Sequence, residues 1–206
     1  FNRMTCMYED RGGTVWFGTA RGGLSKLSRG KFKFGLLGNR TGEIHELQNL
    51  SVTALAQGSD GTIWIGTAKE GLARYDMTTL KLSWYRQVAG KATGLSDNRI
   101  TAIEPGIGGM VWLGTEAGAL HSLDPATNRM EQYVLPVYDT VGEKQHRINA
   151  LYRDKTGGLW IGTAGGVLRY DLHTSEFTVP DIARQVDNAG NKLSVTAFFQ
   201  DYAGIL

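Results

Sequence analysis

Nine residues of this chain carry side chains suited to holding a polar ligand: Arg3, Arg21, Lys69, Asp97, Asn98, Arg99, Glu116, His146 and Arg147. Arginine presents a rigid fork of donors, asparagine a donor and an acceptor, and carboxylates accept from hydroxyls. Gathered together, they suit a hydroxyl-rich or anionic ligand. They do not spell a catalytic pattern. His45, His121, His146 and His173 show no metal-ligand spacing, and only the string Glu43-Ile44-His45-Glu46, in a polar loop, brings carboxylates near one of them. There is no Gly-x-Ser-x-Gly elbow, no phosphate loop and no Cys close to a His in sequence. Gly106-Ile107-Gly108-Gly109 reads as a turn ahead of Trp112 rather than a dinucleotide fingerprint. We therefore expect no catalytic residue, metal or cofactor in this segment, and a binding role rather than an enzyme.

What would bring these residues together is a repeat. Trp16, Trp64, Trp112 and Trp160 are 48 residues apart, and each is followed by a Gly-Thr pair beginning at Gly18, Gly66, Gly114 and Gly162. A fixed period of this size marks an array of supersecondary units that stack on their neighbours. Each unit opens with a short apolar run, as in Val52-Thr53-Ala54-Leu55 or Ile148-Asn149-Ala150-Leu151, which reads as a strand buried on both faces. A turn built on Asp or Gly, the Trp strand, a Gly-rich turn, a third strand such as Leu72–Asp76, an Asp-x-x-Thr turn and a weaker fourth strand follow. The expected fold is all-β: a β-propeller segment of four-stranded antiparallel blades, about four blades plus the start of a fifth. Residues 1–206 then form one arc, whose final stretch Asp201–Leu206 repeats Asp154–Leu159 and stops inside the fifth unit. Val195-Thr196-Ala197-Phe198 reads as a fifth opening strand, and the turn Ala164-Gly165-Gly166 as one residue short. An arc leaves an end blade uncovered, so association with the remaining blades or with a second copy is expected.

In this arrangement the Trp column stacks blade on blade. The Gly beside it permits close backbone approach, and the Thr satisfies a local backbone group. The turns between second and third strands and the connections between blades share one face of the ring, which is where the nine polar residues fall. If the first strand is innermost, Arg3, Arg99 and Arg147 stand near the central channel.

The composition agrees with a folded domain, at 41% hydrophobic and 20% charged residues. A formal charge of +2, with no basic run, gives no footprint for nucleic acid. Cys6 is the only cysteine and sits in a column otherwise occupied by alanines, so it reads as a small core residue. No apolar stretch approaches the roughly 18 residues of a membrane span, so no membrane insertion is expected of this segment.

The unit Val52-Thr53-Ala54-Leu55, Asp60-Gly61-Thr62-Ile63-Trp64-Ile65-Gly66-Thr67, Gly71-Leu72-Ala73-Arg74-Tyr75-Asp76 resembles the two-component regulator propeller repeat, and the likeness covers essentially the whole chain. Units one and three depart from it in the third strand, and unit three lacks the turn Asp. The resemblance implies a sensor: a seven-bladed propeller on the periplasmic side of a membrane-anchored bacterial protein, binding a short oligosaccharide and signalling to a histidine kinase or a diguanylate cyclase. A propeller lyase or hydrolase, with His146 as acid or base, and a pure interaction scaffold are the other classes this architecture allows.

Overall fold

The computed structural model describes residues 3–27, 34–36, 47, 49–88, 94–136, 147–181 and 194–200. Blade 1 comprises β1 (Met4–Glu9), β2 (Val15–Thr19), β3 (Leu24–Leu27) and β4 (Phe34–Leu36). Blade 2 comprises β5 (Val52–Gln57), β6 (Ile63–Thr67), β7 (Leu72–Asp76) and β8 (Lys81–Tyr85). In blade 3 these are β9 (Ile100–Pro105), β10 (Val111–Thr115), β11 (Leu120–Asp124) and β12 (Arg129–Tyr133), and in blade 4 β13 (Ile148–Arg153), β14 (Gly158–Thr163), β15 (Gly166–Asp171) and β16 (Phe177–Thr178). Every sheet is antiparallel in chain order, first strand to fourth. Neighbouring blades meet through their first strands, β1 beside β5, β5 beside β9, and β9 beside β13. The architecture is that of a β-propeller, as the repeat predicts.

The core lies between blades rather than within them. Trp16 and Leu24 of blade 1 pack with Val52, Ile63, Ala73 and Tyr75 of blade 2. Trp64 and Leu72 pack in the same way with Ile100, Val111 and Leu113, and Trp112 and Leu120 with Ile148, Ile161 and Tyr170. Trp16 meets Tyr75 edge-on at 6.4 Å between ring centroids, and Trp112 meets Tyr170 at 5.8 Å. Each side chain thus removes apolar area from the blade that follows it, the dominant stabilising term in such a stack.

The glycine of the repeat is what lets the blades close. A Cβ at Gly114 would stand 2.4 Å from Ile148 Cγ2, and one at Gly66 2.9 Å from Ile100 Cγ2. The first β-branched residue of each inner strand therefore sits directly on the preceding blade's glycine. Gly114→Ala is expected to cost about 1–3 kcal/mol through overpacking, read as a lower urea midpoint. A second tie joins the blades: Thr5, Thr53 and Thr101 donate their hydroxyls to the carbonyls of Val52, Ile100 and Ile148, and Asn149 Nδ2 donates to Val195 O at 3.0 Å.

Two expectations need correction. First strands are not buried on both faces: the β13 side chains are mostly half-buried, and Met4 and Met7 of β1 are 55% and 65% exposed. Val52, Ile100 and Ile148 are buried because a preceding blade's glycine lies against them, whereas no described residue so covers Met4. Residues 194–200 form no strand, since the second strand of a fifth unit, their ladder partner, is not among the described residues. Val195 still docks as its counterparts do, its N–H donating to Thr163 O at 3.0 Å. Blade 3 also contains a 3-10 turn, Ile107–Gly109, with Gly108 and Gly109 at positive φ. The shortened turn is as expected: Thr19, Thr67 and Thr115 bond a carbonyl four residues on, while Thr163 Oγ1 donates to Gly166 O, three residues on.

Candidate functional site

The turns between second and third strands are fastened to the connections between blades, which fixes the face on which the polar residues stand. Within a blade, Ala20 N donates to Arg3 O at 2.9 Å, Glu116 N to Arg99 O at 2.9 Å and Ala164 N to Arg147 O at 3.1 Å. Between blades, Gly71 N donates to Asn98 O at 3.0 Å. The Thr that closes each Trp strand holds the turn open in a set shape: Thr67 Oγ1 donates to Gly71 O at 2.8 Å and accepts from Glu70 N at 2.8 Å. The loops on this face therefore rest on a rigid frame.

Arg3, Arg21, Lys69, Asp97, Asn98, Arg99, Glu116 and Arg147 all lie on it, and they divide by what their side chains touch. Asp97 is committed to its own loop: Oδ1 accepts from Arg99 N at 3.0 Å and Arg99 Nε at 3.3 Å, and Oδ2 from Ala117 N at 3.1 Å. Asn98 Oδ1 accepts from Gln87 N at 2.7 Å, which ties the outer strand of blade 2 to the start of blade 3. These two are positioning residues. Arg147 Nη1 and Glu116 Oε1 form an ion pair at 3.3 Å between blades 3 and 4, both partners open to solvent. Such a pair contributes little stability, and so leaves both groups available to a ligand. Among the described residues, Arg3, Arg21 and Lys69 have no side-chain ion pair, and all three are exposed. His146 and the string Glu43–Glu46 lie outside the described residues.

One buried group on this face lies outside the nine polar residues that the sequence singles out. His121, on β11, is fully buried, with Nε2 2.9 Å from Ser96 Oγ and Nδ1 without a hydrogen-bond partner. Desolvation pushes its pKa down to about 4 against the opposing charge of Asp97, so the ring is neutral at physiological pH. As a base it is weak, and its bond to Ser96 fixes the connection that carries Asp97 and Asn98. The opposite face holds the Asp turns. Asp10 Oδ2 accepts from Trp16 Nε1 at 2.9 Å and Asp154 Oδ2 from Trp160 Nε1 at 2.8 Å, while their other oxygens accept backbone N–H groups of the turn. Burial opposes ionisation of Asp154, but the bonds from Gly158, Thr156 and Trp160 outweigh it and hold the carboxyl at about 2. Among the described residues no cluster of His, Cys, Asp and Glu is arranged to hold a metal. No helix among them is long and apolar enough to cross a membrane.

Residues 1–21, 46–69 and 142–165 match the sequence family described as two component regulator propeller. None of the curated proteins matches the sequence. Among solved structures, the extracellular domain of a protein assigned as a hybrid two component system of B. thetaiotaomicron aligns over 90% of this chain with a TM-score of 0.70 and 22% identity. The extracellular domain of one assigned as a one component system of the same organism aligns over 86%, with a TM-score of 0.62 and 20% identity. The chain spans 24% and 27% of the lengths of these two. Virginiamycin B lyase of Staphylococcus aureus aligns over 86% of this chain and 56% of its own, with a TM-score of 0.63 and 14% identity. At these identities the structural likenesses establish the propeller fold.

Proposed function

From the match of residues 1–21, 46–69 and 142–165 to the two-component regulator propeller repeat, we propose that the chain is part of an extracytoplasmic, ligand-sensing propeller of a membrane-anchored bacterial signalling protein. Its ligand is a small, hydroxyl-rich molecule such as an oligosaccharide, and the response is carried by a histidine kinase or diguanylate cyclase elsewhere in the parent protein. The observation that carries the reading is the split between what recurs and what varies. Trp, Gly and Thr recur in every unit and are consumed in stacking, whereas the loop positions are only partly repeated: Arg3, Arg99 and Arg147 share a column with Ser51, Arg21 and Lys69 share one with Ala117 and Gly165, Glu116 stands where the other units have alanine, and their charged groups are open on one face. A rigid scaffold presenting variable polar loops is how binding sites are commonly built. Arg guanidinium groups and a carboxylate then pair with vicinal hydroxyls. The periplasm is the compartment in which such a sensor meets its ligand. The remaining blades of the parent chain, or a second copy, complete the surface.

Signalling follows by differential affinity alone: a ligand that binds one arrangement of the propeller more tightly shifts the equilibrium by that difference and no more. The lyase reading rests on likeness of fold, and its candidate acid or base, His146, lies outside the described residues. A thermal-shift screen of the chain against oligosaccharides is expected to return a ligand that raises the melting temperature, with the rise abolished in the triple variant Arg3→Ala, Arg21→Ala, Arg147→Ala. If the variant responds as the parent does, this face is not the site. If no oligosaccharide stabilises the parent, the ligand class is wrong.

A further inference from the structure

On the face opposite those loops, blade 4 shows how the repeat closes its lower end. Asp154 Oδ2 accepts from Trp160 Nε1 at 2.8 Å and also from Arg169 Nε at 3.4 Å, so one oxygen takes two donors. Blade 2 keeps both donors but not the carboxylate. The residue six before Trp64 is Gly58, where Trp16 and Trp160 have Asp10 and Asp154. Arg74 occupies the place of Arg169, its guanidinium carbon 5.8 Å from the Trp64 ring against 6.0 Å in blade 4. Its Nε is buried and has no hydrogen-bond partner. Blade 3 also has glycine at this position, Gly106, so a cleft of about 320 Å³ opens between the two blades, lined by Gly58, Asp60, Trp64, Arg74, Pro105 and Met110.

We propose that this cleft binds a neutral peptide group, whose carbonyl oxygen accepts from Trp64 Nε1 and Arg74 Nε. Three observations select that chemistry. The position is one that a single planar-carbon oxygen occupies in blade 4. It must be neutral, because Asp60 Oδ2 already pairs with Arg74 Nη2 at 3.1 Å and would repel a second anion. It is not a stacked sugar, because Trp64 is 2% exposed and offers the cleft no ring face. Asp60 Oδ2 already accepts from Thr62 Oγ1 and Arg74 Nη2, but Oδ1 accepts from Thr62 N alone and keeps a lone pair for the N–H of the bound peptide. Pro105, Met110 and Pro125 supply an apolar wall for the adjoining side chain. The site is separate from the loop face proposed above, so either can fail without the other.

The test follows the indole signals of the nitrogen-15-labelled chain, which has five tryptophans, during titration with N-acetyl-leucine methylamide. The Trp64 signal, identified by its loss in Trp64→Phe, is expected to shift saturably, while Trp16 and Trp160, already bonded to carboxylates, stay in place. Gly58→Asp is expected to abolish the shift by supplying the missing carboxylate. A Cβ at residue 58 would stand 2.7 Å from Asp60 Oδ1 and 3.1 Å from Trp64 Nε1, so the Asp60 carboxylate, held by Thr62 and Arg74, must shift to admit it. Should the added charge disturb the fold, Gly58→Asn supplies a neutral acceptor and is expected to weaken binding by about tenfold or more. The proposal is overturned by an equal shift with methyl glucoside or with the free acid N-acetyl-leucine, by variants that respond as the parent does, or by no saturable shift at millimolar ligand.

Discussion

Trp64→Ala is expected to lower the free energy of unfolding by about 3–5 kcal/mol, the cost of removing a large aromatic ring from a packed site. Trp64 is 2% exposed and joins Leu72 to Ile100, Val111 and Leu113 of the next blade. Its ring also meets Tyr85 at 6.0 Å, so truncation opens a cavity against two sheets at once. A typical domain has about 5–15 kcal/mol of stability in all, so this one variant would leave the arc near its unfolding threshold. Trp84→Ala is the control. That ring lies on β8, only partly buried, with Arg86 Cζ 4.5 Å from its centroid, and its loss is expected to cost about 1 kcal/mol or less. Urea titrations of the two variants decide the matter. A Trp64→Ala protein that unfolds at the parent's midpoint would mean that the column does not stack the blades.

The same tryptophan explains why the fold could be read from the sequence and much of the site could not. Trp, Gly and Thr at one spacing specify two strand ends, the turn beyond them and the close approach of the next blade, so blade number and even the one-residue deletion before Val167 are legible. Side chains that act across 48 residues leave weaker traces. Thr5, Thr53 and Thr101 look like ordinary members of an apolar strand, and Asn149 breaks the column, so the inter-blade hydroxyl ladder is visible only in three dimensions. The bond from Asp10 to Trp16 spans six residues and recurs only at Asp154, which hides it among turn residues. His121 has no metal-ligand spacing in the sequence, and its partner Ser96 precedes it by 25 residues, in the previous blade's connection. The loop residues Arg3, Arg99 and Arg147 fall on one face because strand alternation alone dictates it. What sequence could not supply is that Asp97 and Asn98 are spent on holding the loop.

Two groups, the buried His121 and the half-buried Glu104, set the pH dependence, and they pull in opposite directions. His121 has its pKa lowered from 6.5 to about 4, chiefly by desolvation. The unfolded chain binds the proton more readily, so this stability is present above pH 6.5 and lost as the pH falls toward 4, amounting to roughly 3 kcal/mol. Glu104, on β9 beside Arg153, has its pKa raised from 4.5 to about 7, again chiefly by desolvation, with the Arg153 backbone and charge opposing. Here the folded state holds the proton more tightly, so stability is present below pH 4.5 and lost as the pH rises through 7, by a similar amount or somewhat less, since Glu104 keeps some contact with water. The windows overlap, and the parent is expected to show a nearly flat profile between pH 4.5 and 6.5. Glu104→Gln removes one arm: it should be more stable than the parent at pH 8 and lose stability steeply on acidification. His121→Gln removes the other and should lose stability as the pH rises. Urea midpoints from pH 4.5 to 8 read both slopes, and a Glu104→Gln protein with the parent's flat profile would show that the two groups do not titrate in the folded state as their burial requires.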